Sequence, residues 1–450
     1  VGRAVVRHRD IKLLGASFTL VRARVPSCFL AKLPSGAQLD SEGSALLDIV
    51  VENGRIEAII PNGAGGDQMP SSIDLAGRHV WATLIDMHAH LDKGQVIPRV
   101  RPDGTLEGGL RLTAEDRKHW ALDDVAARMR FSLRCAYVHG VAAIRTHLDS
   151  HERLAERSWA VFKELRHEWR DRIALQAVGM VPLTAFREDW GTKLADLVVE
   201  SDGILGCVTD GLGAYESTVG SILDDLLDRF LSIAEERGLD VDMHVDQSDD
   251  KRLFALPHIA KAVRRTRFKG RVVCGHCVNL ALQPDDIAHR TIAQARDAGL
   301  AFVTLPTPMM YLQDRQRHRT PRWRGVTLAA ELSHAGLPVA IGGDNCRDAW
   351  FPFGDHDMLD TLQQAVRVFQ LDDPIAEAVA MAGPIPSDII RGGALGRLVE
   401  KGSADLIVLS ARSLNEVMCR PQADRIVIRD GGCVTEALPD YAELDAVLGL

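Results

Sequence analysis

Asp86-Met87-His88-Ala89-His90-Leu91-Asp92-Lys93 is the stretch on which the reading of this chain turns. It closes an apolar run, Ala82–His90. Along a strand, side chains two apart face the same side, so His88 and His90 project together. Two imidazoles on one face at a strand end make half of a metal site. A lone His-x-His is as often chance as ligation, so the weight must come from what the other strands do.

Seven more apolar runs follow: Val141–Asp149, Arg172–Val181, Ile204–Asp210, Asp240–Asp246, Arg271–Cys277, Leu300–Thr307 and Pro338–Asp344. Amphipathic stretches such as Asp123–Tyr137, Leu154–Glu168, Ile222–Arg237 and Leu328–Ala335 separate them. Strands that are apolar along their length and spaced by helices indicate a parallel sheet covered on both faces. Eight such units predict an α/β fold, a TIM (β/α)8 barrel. An open doubly wound sheet is the alternative, but no Gly-x-Gly-x-x-Gly opens any of the helices, so a dinucleotide fold has no support. Several strand ends are polar in the same way: Thr146-His147-Leu148-Asp149, His244-Val245-Asp246-Gln247, Gly275-His276-Cys277 and Gly342-Gly343-Asp344-Asn345. Function in a barrel concentrates at strand C-termini, and five ends alike are hard to assign to packing.

Outside the barrel the texture is β. Phe18–Val25, Leu46–Val51 and Arg55–Ile60 are short runs, with Glu52-Asn53-Gly54 as a hairpin turn. Near the other end, Ala404–Leu409 and Arg425–Ile428 repeat the pattern, with Asp430-Gly431-Gly432 as a turn. Each segment is too small for its own core, which predicts one small β-sandwich from both termini. The expected domains are 1–85 with 395–450, and 86–394.

Composition narrows the function. The 450 residues carry 53 basic and 62 acidic side chains, a net charge of −9, which disfavours nucleic acid or an anionic membrane as partner. No apolar run reaches the roughly 18 residues of a membrane span. Val1–Asp10 is polar and Arg-rich, so no secretory signal is expected there. The eight Cys include one Cys-x-x-Cys, Cys274–Cys277, without a second pair at zinc-finger spacing. They read as buried free thiols of a reducing, cytoplasmic setting. Arg315, Arg317, His318, Arg319, Arg322 and Arg324 surround Trp323. On an acidic chain this basic loop reads as a solvated loop or a homo-oligomer contact, with a carboxylate-bearing substrate as the other option.

The strand-end pattern resembles the amidohydrolase superfamily, in its cytosine deaminase-like branch. The matching residues are His88-Ala89-His90-Leu91-Asp92, Arg145-Thr146-His147-Leu148-Asp149, His244-Val245-Asp246, Leu312-Gln313, Arg324-Gly325-Val326-Thr327, and the run from Asp344 through Trp350-Phe351-Pro352 to Met358-Leu359. The resemblance covers nearly the whole chain. It implies His88, His90, His244 and Asp344 as ligands of one divalent metal ion, Zn²⁺ or Fe²⁺, with His276 beside the attacking water. It implies Asp344 as the group that takes the water's proton, and Trp350 packed against a ring substrate. Three imidazoles and a carboxylate suit that chemistry. No Lys lies in Arg172–Val181 or Ile204–Asp210 to bridge a second metal.

Three positions depart from the branch. Its Glu after the strand-five His-x-Asp is Gln247, its second strand-eight Asp is Asn345, and its strand-three Gln falls near Pro182. A neutral amide has no proton to exchange near neutral pH. Gln247 is therefore an engineered replacement, a mark of a catalytically impaired metal-binding homologue, or a sign of a changed substrate. The last reading is preferred, with Gln247 and Asn345 as hydrogen-bonding amides at the site. The expected reaction is hydrolysis of a C–N bond in a small N-heterocycle, a cyclic amide or amino-substituted ring other than cytosine, by hydroxide generated at the metal. A true deaminase of a pyrimidine- or triazine-like base is the alternative. Lys93 reads either as an anchor for an anionic substrate group or as a solvated loop residue. His147 and Asp149 either line the site floor or orient the ligands from behind.

Overall fold

The computed structural model describes residues 15–64, 71–210 and 217–450, so Val1–Asp10 lies outside the described residues. Strands β1 (Phe18–Pro26), β2 (Ser44–Glu52) and β3 (Arg55–Pro61) form an antiparallel meander, and β4 (Ser72–Asp74) joins β1 in parallel. The β2–β3 hairpin turns at Asn53-Gly54, with φ of 50° and 78°. Two successive positive φ values are what a two-residue hairpin demands. Gly54 is also forced by space, since a Cβ there would lie 2.4 Å from the Asp430 carbonyl oxygen.

The chain then enters β5 (Val80–Ala82) and β6 (Leu84–Ala89), separated by Thr83 alone. The run read from sequence as one strand, Ala82–His90, therefore splits at Thr83, and β5 and β6 belong to different sheets. Next come β7 (Val141–Asp149), β8 (Ala174–Met180), β9 (Ile204–Val208), β10 (Val241–Val245), β11 (Val272–His276), β12 (Ala301–Thr304) and β13 (Val339–Ile341). These and β6 make one eight-stranded sheet in sequential order, with helices between them. It is a TIM barrel, as the eight apolar runs predict. Every residue of β6 and of β7 is buried, as strands covered on both faces require. The seam is closed by a parallel bridge between Ala89 and Asp344.

The chain ends with β14 (Leu406–Val408), β15 (Ile426–Arg429) and β16 (Gly432–Cys433), which form a second four-stranded sheet with β5. Strands from both ends of the chain thus share one sheet. The contacts divide the chain into two compact units: Val1–Ile85 with Ala136–Ala142 and Asp357–Leu438, and Asp86–Cys135 with Ala143–His356 and Pro439–Leu450. No disulfide joins any of the eight cysteines, all of which lie among the described residues, but Cys28 and Cys433 are only half-buried and Cys419 is exposed. Among the described residues, no helix is long and apolar enough to cross a membrane.

Candidate metal centre

Four side chains converge where the barrel strands end. His88 Nε2 lies 3.2 Å from His244 Nε2, and His90 Nε2 lies 3.3 Å from the same atom. Asp344 Oδ1 is 3.2 Å from His90 Nε2 and 3.7 Å from His88 Nε2. A tetrahedral ion with bonds near 2.1 Å keeps its ligand atoms roughly 3.4 Å apart, so this spacing fits a divalent cation. All four side chains are buried, and neither Asp344 oxygen accepts a hydrogen bond. A buried carboxylate without partners is costly, and a cation between these atoms removes that cost.

Protonation is set the same way. Burial, then the neighbouring imidazoles, pushes His88 and His244 well below the usual histidine range, and burial with Lys93 does so for His90. Neutral imidazoles are the form that ligates. Two triads bring one ligand atom each within 4.8 Å of one another: His88 with His147 and His244, and His88 with His276 and Asp344. His90 belongs to neither triad, yet its Nε2 contacts both His244 and Asp344. His147 sits behind, stacked on His88 at 3.8 Å and 3.3 Å from Asp242. Asp242 also holds Arg145 at 2.8 Å.

Backbone strain gathers here. Asp246, His276, Cys277 and Asp344 have φ of 53°, 66°, 49° and 61°. Non-glycine residues in that region cost about 1 kcal/mol or more each, and such strain clusters at functional sites.

A cavity of about 710 Å³ opens over the cluster. His90, Lys93, Pro182, His244, Gln247, His276, Asp344, Asn345 and Trp350 line it, whereas His88 and His147 do not. Several of the lining groups are already engaged. The Lys93 ammonium is 3.3 Å from Asp149 and stands 4.6 Å over the Trp350 ring. Burial would raise Asp149, but Lys93 and Arg117 outweigh it and hold the carboxyl far below its ordinary value. Asn345 donates to Asp348 at 2.6 Å, and Asp348 accepts the Trp350 and Phe351 amides, which fixes the turn that carries the Trp350 ring. Asp246 takes no part in the cavity, because its carboxylate accepts the Ala255 and Leu256 amides at 2.6 and 3.1 Å where the helix Leu256–Thr266 begins. None of the basic-loop residues lines the cavity, and Arg319 is paired with Asp314.

The sequence reading passed over Asp210, Arg117, His151 and Met309, which line the same cavity. Asp210 had a signal, since it ends the fourth apolar run as His and Asp end the others. Arg117 opens a short 3-10 helix, Arg117–His119, and His151 lies in a loop, and neither had one.

The profile described as the amidohydrolase family matches residues 207–435. A pterin deaminase of Rhizobium rhizogenes (strain K84 / ATCC BAA-868) is 42% identical over 437 residues, 96% of this chain and 97% of that protein. The N-isopropylammelide isopropyl amidohydrolase of Pseudomonas sp. (strain ADP) is 25% identical over 333 residues, 71% of this chain and 75% of that protein. Among solved structures, 5-methylcytosine deaminase from Klebsiella pneumoniae liganded with phosphonocytosine superposes with a TM-score of 0.78 at 22% identity, over 93% of this chain and 98% of that one. That likeness shows the fold.

Proposed function

The chain belongs to the amidohydrolase family, and we propose that it is an aminohydrolase releasing ammonia from an amino-substituted, pterin-like fused heterocycle. The family is metal-dependent and its reaction is hydrolysis of a C–N bond. The observation that carries the proposal is the His88–His90–His244–Asp344 cluster at the floor of a cavity of about 710 Å³, a volume suited to a small molecule. Likeness to a pterin deaminase along almost the entire chain supports ammonia as the leaving group. The cavity is large enough to admit a fused ring.

A divalent ion on these ligands supplies Lewis acidity, which lowers the pKa of a water toward about 7. The donor set suits Zn²⁺ and Fe²⁺ alike. Asp344 is placed to take the water's proton and to return it to the departing amine. His276, whose Nε2 is buried with no partner, is placed to orient that water. Trp350 lines the cavity as an aromatic contact for the ring, and the Lys93 ammonium over the indole helps to keep it in place. Pro182 contributes wall and no hydrogen bond. The partner this reading requires is the heterocycle itself, and the free thiols suit a cytoplasmic setting.

Ring-amide hydrolysis is the second reading, favoured by the neutral Gln247 where the deaminase branch has Glu. The test is a panel of pterin, cytosine, triazines, hydantoins and lactams assayed with metal-replete protein. Ammonia from pterin at a kcat/KM on the order of 10⁴ M⁻¹s⁻¹ or more supports the proposal. Ring-opened lactam or hydantoin without ammonia from any amino-substituted ring overturns it.

A further inference from the structure

Position 247 has lost the carboxyl that the cytosine deaminase pattern carries, but a carboxyl stands beside it. Asp210, two residues beyond β9, accepts the Gln247 side-chain N–H at 3.2 Å on Oδ2 and the Gln247 backbone N–H at 3.2 Å on Oδ1. Gln247 is fixed from another side too, since its carbonyl accepts the Gln313 side-chain N–H at 2.7 Å. With its side-chain N–H on Asp210, the Gln247 amide leaves its Oε1 as an acceptor for the cavity. β9 and β10 are parallel neighbours, with Val208 opposite His244, so the two chain segments leave the barrel side by side. Both Asp210 and Gln247 line the cavity. A carboxyl oxygen thus lies one hydrogen bond from the Gln247 amide, the place where the deaminase branch carries its own carboxyl.

We propose that Asp210 is a catalytic residue of this chain, the group that exchanges protons with the heterocycle, and that Gln247 positions it and accepts an N–H from the ring. The proposal rests on the aminohydrolase reading above. Burial favours the protonated form of Asp210, against the two N–H bonds from Gln247. The other titratable groups that face it are Asp246 and the Cys277 thiol, both of which burial holds toward the neutral form.

The proton balance closes. As the water oxygen bonds to the amino-bearing carbon, Asp344 takes one water proton. The C=N electron pair moves to the ring nitrogen, which takes the Asp210 proton. The amino nitrogen then takes the proton from Asp344, and the C–N bond breaks with its electron pair leaving on ammonia. The hydroxyl proton passes to Asp210 as the carbonyl forms. One water is consumed, one ammonia is released, and both carboxyls return to their starting state.

The experiment compares Asp210→Asn and the swap Asp210→Asn/Gln247→Glu with wild type. It reads ammonia release from pterin against pH, metal per chain, and a carbon-13 NMR titration of aspartate-labelled protein in which Asp210→Asn assigns the Asp210 signal. Expected is a kcat loss of about 10²-fold or more in Asp210→Asn, with KM within about threefold, the metal retained, and the corresponding limb of the pH profile gone. The swap is expected to recover at least about tenfold. A kcat for Asp210→Asn within about threefold of wild type, on an unchanged pH profile, overturns the proposal. So does an Asp210 carboxyl already ionised at pH 5 in wild type, a readout that needs neither turnover nor a folded variant beyond the assignment. Wild-type protein that releases no ammonia from any amino-substituted ring overturns the aminohydrolase reading instead.

Discussion

The Nδ1 of His276 faces the sulfur of Met309 at 3.3 Å, while the other ring nitrogen, Nε2, is buried with no partner. A thioether is a weak acceptor and carries no proton to donate. The contact is satisfied when Nδ1 holds the ring proton, which leaves the Nε2 lone pair toward the reacting groups. Burial pushes His276 down to about 3, so the ring is neutral over the working range. Met309→Leu keeps the volume and removes the sulfur. It is expected to lower kcat by about tenfold or less with full metal content, whereas His276→Ala costs about 10²-fold or more. Steady-state ammonia release separates the two, and a Met309→Leu enzyme as fast as wild type would show that the sulfur does not select the tautomer.

The barrel seam rests on a missing side chain. A Cβ on Gly342 would stand 2.7 Å from the His88 Cβ and 2.9 Å from its backbone nitrogen. That closeness allows the Asp344 N–H to reach the His88 carbonyl at 2.6 Å, which sets two proposed metal ligands side by side. Gly342→Ala forces the seam apart and is expected to cost about 1–3 kcal/mol, with metal content falling alongside. Chemical denaturation and elemental analysis measure both. Wild-type stability with one metal per chain would mean that the seam yields without moving His88.

His90 and His147 both stand beside His88 but face different groups. His90 points its Nε2 at His244 and Asp344, and His147 lies stacked behind His88 with its Nε2 toward Asp242. His90→Ala should therefore leave under about 0.2 metal per chain, as expected when a ligand is lost. His147→Ala should keep the metal with an affinity about 10–100-fold weaker, the usual cost of a residue that only orients ligands. The reverse ranking in a metal titration would transfer the ligand role to His147.

What was legible in the sequence follows from physical periodicity. The eight apolar runs became the eight barrel strands because parallel strands are apolar on both faces. His88, His90, His244, His276 and Asp344 stood out because strand ends place polar side chains at one mouth. Less was legible where the meaning of a residue depends on a distant partner. Lys93 reads as a free cation until Asp149 and Trp350 are seen around it. Asp210 looks like an ordinary turn residue until Gln247 arrives from the next strand. Asp246, at the polar end of the fifth apolar run beside His244, reads as a candidate for chemistry, yet its carboxylate serves the start of a helix that begins ten residues later. The break at Thr83 was hidden because both strands it separates are apolar and buried.

A buried histidine away from the site makes the fold acid-sensitive. His79 is fully buried beside β5, with its backbone tied to Ala411 and Leu409. Its Nδ1 accepts the Trp81 indole N–H at 3.3 Å, and its Nε2 has no partner. Burial, with Arg24 adding to it, lowers His79 to about 3. In the unfolded chain a histidine titrates near 6.5. At higher pH neither state binds the proton and the group costs nothing. As pH falls below about 6.5, the unfolded chain takes a proton that the folded chain refuses, and stability declines by about 1.4 kcal/mol per pH unit until pH nears 3. His79→Gln removes the titrating group from both states. Between pH 7 and pH 5 the wild type should therefore lose about 2 kcal/mol more than His79→Gln in urea denaturation. Parallel pH dependences in the two proteins would locate the acid sensitivity elsewhere in the fold.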